Sequence, residues 1–237
     1  MSDVKTELAP TGKLRVGINL SNFLLVKKHP DGSVTGIVPD LAAELGRRLK
    51  APVDFVHYEG PGHLADAAPS GAWDVGFLGA EPQRAAVIAF SDAYLEIPAT
   101  YLVPAGSPIR SIDQVDRPGV RIATMAKSAY ELWLSRNIKQ ATLVRANTIA
   151  ATFEMFKAEK LEVLSGLLPR LVTEVEQLPG ARILEGKFTA VQQAIGTPKA
   201  RAAGAQYLQA FAADIKKSGL VASLIEKHGA RGTNVAP

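Results

Sequence analysis

Strand-like and helix-like segments alternate along this chain in two successive series, and no other feature restricts its fold as strongly. In the first series Lys13–Asn19 reads as a strand, and a helix follows from about Pro39. Leu41, Leu45 and Leu49 lie on one stripe of that helix at four-residue spacing. Val53–Tyr58 reads as a strand, Leu64–Pro69 as a short helix and Trp73–Leu78 as the next strand, with turns at Asp31-Gly32 and Gly60-Pro61-Gly62. The second series starts after Pro118-Gly119 with a strand at Val120–Thr124. Ser128-Ala129-Tyr130-Glu131 is a capping box that opens a helix. Ala141–Arg145 and Leu161–Ser165 read as strands around a helix at Thr148–Glu159, before a helix near Pro169–Gln177 and a strand at Ala181–Leu184. Two helices, from Lys199 to about Ser218 and from Leu220 to Lys227, end the chain. Such alternation predicts an α/β fold with mainly parallel sheets. Two extended runs, Ile97–Val103 and Val191–Gly196, are the natural places for the chain to cross between lobes. Residues 1–102 and 197–237 then form a discontinuous first lobe, and residues 103–196 an inserted second lobe joined by a two-strand hinge.

Composition narrows the function classes. With 237 residues, 47% hydrophobic and 21% charged, the chain is long enough for a large core and is not of disordered type. The net charge of +4 is modest, and Lys27-Lys28 and Arg47-Arg48 are only pairs, so no nucleic-acid partner is expected. Zero cysteines exclude a disulfide framework and thiolate metal sites, and suit the periplasm or the cytosol. No apolar run is long enough for membrane insertion. The start, MSDVKTELAP, lacks the basic and apolar regions of a secretory signal. Either a signal was removed and Met1 added, or Met1 is a native, cytoplasmic start. His29, His57, His63 and His228 have no metal-ligand spacing. There is no P-loop, nucleophile elbow or dinucleotide fingerprint. No cofactor, metal or catalytic residue is expected, and Trp73 and Trp133 read as core.

The stretch Gly71–Tyr94 concentrates the binding chemistry. A strand ends in Gly79 and Ala80, small residues that let a ligand approach the backbone. Glu81-Pro82 then opens a short helix carrying Arg84, whose planar fork suits a carboxylate. Open α/β sheets bind ligands outside the carboxyl ends of their strands, which is where Arg84 falls. By itself the arrangement reads as a pocket for a small organic anion.

Gly71, Asp74, Pro82, Arg84, Phe90, Ser91 and Tyr94 match, in order and spacing, the signature Gly-x-x-Asp, Thr-Pro-x-Arg, Phe-Ser-x-x-Tyr. In this the chain resembles the family 3 extracellular solute-binding proteins, the amino-acid-binding components of ABC importers. Gly36-Ile37-Val38-Pro39-Asp40-Leu41 is similar to a second family motif, and Phe156–Glu162 to a third, with Glu162 in place of the family's Asp. The resemblance covers nearly the whole chain. It implies the two-lobe type II periplasmic-binding-protein fold and a monomer that captures a small anionic or zwitterionic ligand between its lobes. It also implies delivery to an ABC permease and a periplasmic location.

Carried over by resemblance, the first-lobe site is Arg84, the backbone of Gly79 and Ala80, and Asn22 and Phe23 in the loop after the first strand, with Phe23 over the ligand. From the second lobe come Ser128, as N-cap, and Lys127, which either points to solvent or adds a charge opposite Arg84. Gln192 and Gln193 sit at the return crossing, one facing in and the other out. The family holds the ligand's ammonium with an acid where this chain has Leu167, and Ser165–Arg170 carries no carboxylate. Arg170 would tilt the site toward anions, and Glu81 would tune Arg84. The alternative functions are a cyclohexadienyl dehydratase-like enzyme, for which Glu81 is the nominated acid, and a non-exported sensor or scavenger.

Overall fold

The structure is a computed structural model that describes residues 2–237; Met1, on which the reading of a native start turns, lies outside the described residues. In chain order, α1 (Ser2–Leu8), β1 (Leu14–Asn19), β2 (Lys27–Lys28), β3 (Val34–Thr35), α2 (Ile37–Leu49) and β4 (Val53–Tyr58) come first. They are followed by α3 (Pro61–Asp66), β5 (Val75–Gly79), β6 (Ile88–Phe90), β7 (Leu95–Val103), β8 (Arg121–Met125) and α4 (Ala129–Asn137). The chain continues with β9 (Thr142–Ala146), α5 (Ile149–Ala158), β10 (Val163–Leu167), α6 (Leu168–Val175) and β11 (Arg182–Ile183). It ends with β12 (Thr189–Pro198), α7 (Ala202–Lys217), α8 (Leu220–Lys227) and β13 (Asn234–Val235).

The chain separates into two compact units, one running to Glu96 and resuming at Gln192–Pro237, the other Ile97–Val191. The exchange points fall inside β7 and β12.

In the first unit β1 lies between β4 and β5, parallel to both, and β12 runs antiparallel to β5 with Gln193 opposite Gly79. Leu14, Val16 and Ile18 of β1 are fully buried, as are Leu41 and Leu45 on the expected stripe of α2. Trp73 is core: its ring covers Gly17 and Gly76, which are opposite each other on adjacent strands. A Cβ on Gly17 would come within 2.4 Å of the Leu64 side chain and 3.1 Å of the Trp73 ring, so any larger residue here would have to displace the leucine. The Trp73 indole N–H donates to the Leu64 carbonyl.

Two local expectations need correction. Gly60-Pro61-Gly62 is not a free turn, because Pro61 occupies the first helical position of α3, where its missing N–H costs nothing. The reading also missed α1, which has too few residues to show a period; it packs on α7, with Glu7 accepting from the Gly204 N–H and Leu8 filling the space above Gly204.

The second unit repeats the plan. β8 lies between β9 and β10, parallel to both, and β7 runs antiparallel to β10. Leu102, Ala123, Phe153, Phe156, Leu164 and Leu171 form one buried cluster, and Tyr101, Ile122, Leu134 and Val163 belong to another. Trp133 packs against the latter beside Phe188.

Each unit contains an ion pair of its own of the same kind. The Arg15 backbone N–H and guanidinium both donate to Asp74, just before β5, and Arg201 joins them at 2.7 Å. In the second unit the Arg121 backbone N–H and guanidinium donate in the same way to Glu162, just before β10. Asp74 thus ties β1 to β5 and Glu162 ties β8 to β10, which explains why the family pattern asks for an acid at both places. No repeat is visible in the sequence because the acid, the arginine and the packing residues are shared only as positions.

Candidate functional site

In the first unit the carboxyl end of β5 holds the residues the sequence singled out. Arg84 is only 4% exposed and donates through Nη1 to the Gly79 carbonyl at 2.7 Å. Burial lowers its pKa to about 10, against the opposing charges of Glu81 and Asp66. At neutral pH the side chain is therefore a buried cation. Asp66, at the end of α3, is an electrostatic neighbour that the sequence reading missed, because only the packing of α3 brings it near.

The helix expected after Pro82 is a three-residue 3-10 turn, Arg84–Ala86. Its Arg84 and Ala85 N–H groups both donate to the Glu81 carbonyl, and the Ala80 N–H donates to Gln192. These donors are committed within the unit, so the group here suited to an anion is the Arg84 side chain rather than a helix terminus. Glu81 is itself buried beside Arg84. Gln193 is buried in β12 and Gln192 is half-buried, donating through Nε2 to Glu96, so the two glutamines do point differently.

The loop after β1 carries Asn22 and Phe23. Asn22 is buried, and its side-chain oxygen has no hydrogen-bond partner among the described residues. Phe23 is the opposite case, a large apolar ring left 47% exposed. An exposed phenyl group next to a buried, unbonded amide oxygen is unfavourable for an isolated fold and suited to a loop that contacts a ligand.

Phe90, Ser91 and Tyr94, which helped carry the resemblance, serve the frame instead. Ser91 exchanges hydrogen bonds with Ile195 of β12, and the Tyr94 N–H donates to Gln193. The Tyr94 ring is fully buried, edge-on to Phe77.

In the second unit Ser128 caps α4, accepting from the Glu131 N–H at 3.1 Å. Glu131 reaches back to the Lys127 N–H and also accepts from Ser135 and Arg145. The predicted capping box is present, with its return bond one residue earlier than the standard form. Lys127 is exposed and has φ of 58°, the left-handed region that favours glycine.

Leu167 is the N-cap of α6, and Arg170 follows in the first turn. Arg170 Nε donates to Glu174 at 2.8 Å. The sequence reading stopped at Arg170 and missed Glu174; their i,i+4 spacing on a helix was the available signal. Burial raises the Glu174 pKa, and Arg170 opposes that shift. Tyr130 is close enough to feel both charges and hydrogen-bonds Ser128, and burial raises its own pKa. Ser128, Tyr130, Arg170 and Glu174 therefore form one cluster at the carboxyl ends of β8 and β10.

The family profile of the bacterial extracellular solute-binding proteins, family 3, matches residues 14–231, and the chain belongs to that family. No curated protein matches it in sequence. Among solved structures, a mutant of ArgBP from T. maritima aligns over 98% of this chain and 100% of its own, at 21% identity and a TM-score of 0.77. A solute receptor for L-cysteine from Neisseria gonorrhoeae aligns over 92% of this chain and 90% of its own, at 20% identity and a TM-score of 0.77. An ancestral amino acid-binding protein, described as a precursor of cyclohexadienyl dehydratase, aligns over 93% and 97%, at 22% identity and a TM-score of 0.75. The fold is that of the type II periplasmic binding proteins, as the sequence predicted, and the protein is a solute-binding protein. Among the described residues no helix is long and apolar enough to cross a membrane.

Proposed function

We propose that this protein is the periplasmic receptor of an ABC importer, a monomer that takes up a small carboxylate-bearing solute and hands it to a membrane permease. The observation that carries this reading is Arg84, a cation kept charged at neutral pH although it is 4% exposed. Burying a guanidinium is costly unless an anion compensates it. Glu81 and Asp66 act on it electrostatically, and the solute's carboxylate is a further counter-charge. Phe23 and Asn22 of the same unit contribute further contacts. The known relatives whose folds match bind amino acids such as L-cysteine, which is consistent with a solute of this size.

The solute is bound and released unchanged. Glu81 lies against Arg84 and serves to tune that cation rather than to transfer protons. Prephenate incubated with the protein should therefore be recovered intact.

The test is a thermal-shift and calorimetric screen of amino acids, their amine-free counterparts and dicarboxylates. A solute at ~100 times its Kd should add roughly 2.7 kcal/mol of stability. Arg84→Ala should weaken binding of that solute by about 100-fold or more, as loss of a charged, two-point hydrogen bond implies. Unchanged affinity in the variant would refute the assignment of Arg84.

A further inference from the structure

Among the described residues, Asn22 Oδ1, the Tyr94 hydroxyl and Thr124 Oγ1 are buried side-chain atoms without a hydrogen-bond partner. Tyr94 and Thr124 are fully buried. Asn22 is 8% exposed and precedes Phe23, which is 47% exposed. Of the three, Asn22 is therefore the one at the rim of a core, in a loop that a solute can reach.

The loop holds Asn22 firmly. Its backbone N–H donates to the Asn19 carbonyl, and its own carbonyl accepts from Leu25 and Val26, which are both buried. The other amide of the loop, Asn19, accepts two bonds through its side-chain oxygen, from the Ser21 N–H and the Ser21 hydroxyl. An amide that ties this turn together is thus already present, and the Asn22 side chain is not used for that purpose. Conformation does not call for asparagine either, because Asn22 lies outside the left-handed region that favours it. An acceptor fixed in place, removed from water and left unbonded destabilises the free protein.

The same state favours binding. The oxygen has lost its water on folding, so a donor that reaches it gains a hydrogen bond without stripping water from the acceptor. A solute that offers only an acid and a hydrocarbon body cannot use it. β1 and β5 are neighbouring parallel strands, with Gly17 opposite Gly76, so the loops that leave their carboxyl ends start side by side. One loop carries Asn22, and the other starts from Gly79, whose carbonyl holds Arg84. A cation for an acid and an acceptor for a donor are therefore both supplied from this one end of the first unit.

We propose that Asn22 Oδ1 is a specificity-determining acceptor: the solute carries an N–H or O–H donor besides its carboxylate, and Asn22 selects for that donor. This rests on the reading of the protein as a carboxylate receptor and deepens it, with every group involved in one unit.

The experiment is calorimetric titration of the full chain with two series of acids. Propanoate, lactate and alanine place hydrogen, hydroxyl or ammonium next to the carboxylate. Butyrate, 4-hydroxybutyrate and 4-aminobutyrate make the same change at the far end, so the two series locate the donor and the members of each separate O–H from N–H. In at least one series a donor-bearing acid should bind about 5–100-fold tighter than its parent, the range expected for a hydrogen bond to a neutral or a charged donor. Asn22→Leu, of similar size and without an acceptor, should bring that ratio close to one. Asn22→Ala gives the same comparison if leucine disturbs the turn. Without solute, Asn22→Leu should melt no lower than wild type, because an unbonded buried acceptor is replaced by an apolar group.

A ratio that is unchanged in both variants would overturn the proposal. So would parent acids that bind as tightly as every donor-bearing one in the wild type. In either case loss of binding in Arg84→Ala would leave the carboxylate-receptor reading standing. Absence of binding by every acid would overturn both.

Discussion

Asp74 shows how much one side chain can be asked to hold. It is fully buried and accepts from the Arg15 backbone, from two nitrogens of the Arg15 guanidinium and from Arg201. Thr197 donates to its backbone carbonyl, so β12 is anchored at the same point. Removing one partner of a buried ion network leaves the others uncompensated, which typically costs about 3–5 kcal/mol. Asp74→Ala should lose stability of that order in urea denaturation. Glu162→Ala, at the matching place in the second unit, should lose distinctly less, because both Glu162 and Arg121 are more than a third exposed and water replaces the lost bonds. Equal losses would mean that burial is not what separates the two sites. The family pattern made both acids visible in the sequence, but not their difference in weight, since burial depends on α7 and β12 arriving from far along the chain.

At the scale of elements, α2 illustrates what spacing alone can and cannot reveal. Its buried stripe was legible from three leucines, because a 3.6-residue period needs only neighbours along the helix. The opposite side is joined to α7 by charge. Glu44 bonds Arg47 and Arg48, and Arg48 continues to Asp214 while lying 5.0 Å from the Phe211 ring centroid. The two arginines lower the Glu44 pKa from 4.5 to about 2. For an acid whose folded pKa is depressed, the stabilisation is present above the unfolded value and is lost as pH falls toward the folded one. Wild type should therefore exceed Glu44→Gln at pH 7 by about 1 kcal/mol, after allowance for solvent screening. The difference should shrink between pH 4.5 and about 2, as followed by urea melts across that range. A difference independent of pH would show that the carboxylate charge is not the cause. The i,i+3 and i,i+4 pairing was implicit in the sequence, while Asp214 and Phe211, more than 160 residues away, were not.

At the scale of the whole molecule, the second unit is one uninterrupted stretch of chain with cores made entirely from its own residues. Tyr101, Ile122, Leu134 and Val163 belong to one cluster, Leu102, Phe153 and Leu171 to another, and Ala99, Met125, Tyr130 and Val191 to a third. The first unit needs two separated stretches brought together through β12, which pairs with both β5 and β6. A polypeptide of residues 95–191 should fold alone and melt in one cooperative transition, as most small domains with a single packed interior do. A broad, non-cooperative melt with weak near-ultraviolet circular dichroism would show that these clusters are insufficient by themselves.

The sequence by itself determined the alternation of elements, the capping box at Ser128 and the place of Arg84. Each of these is written in local periodicity, in short spacing or in a motif whose residues are near neighbours. Tertiary structure alone decided which of these groups remain available for chemistry. It committed the backbone donors after Gly79 to Glu81 and Gln192, buried Arg84 and left Phe23 exposed. Burial and hydrogen-bond partnership depend on which distant segments pack together, so the residue types at the site could be read in advance, whereas their charge balance could not.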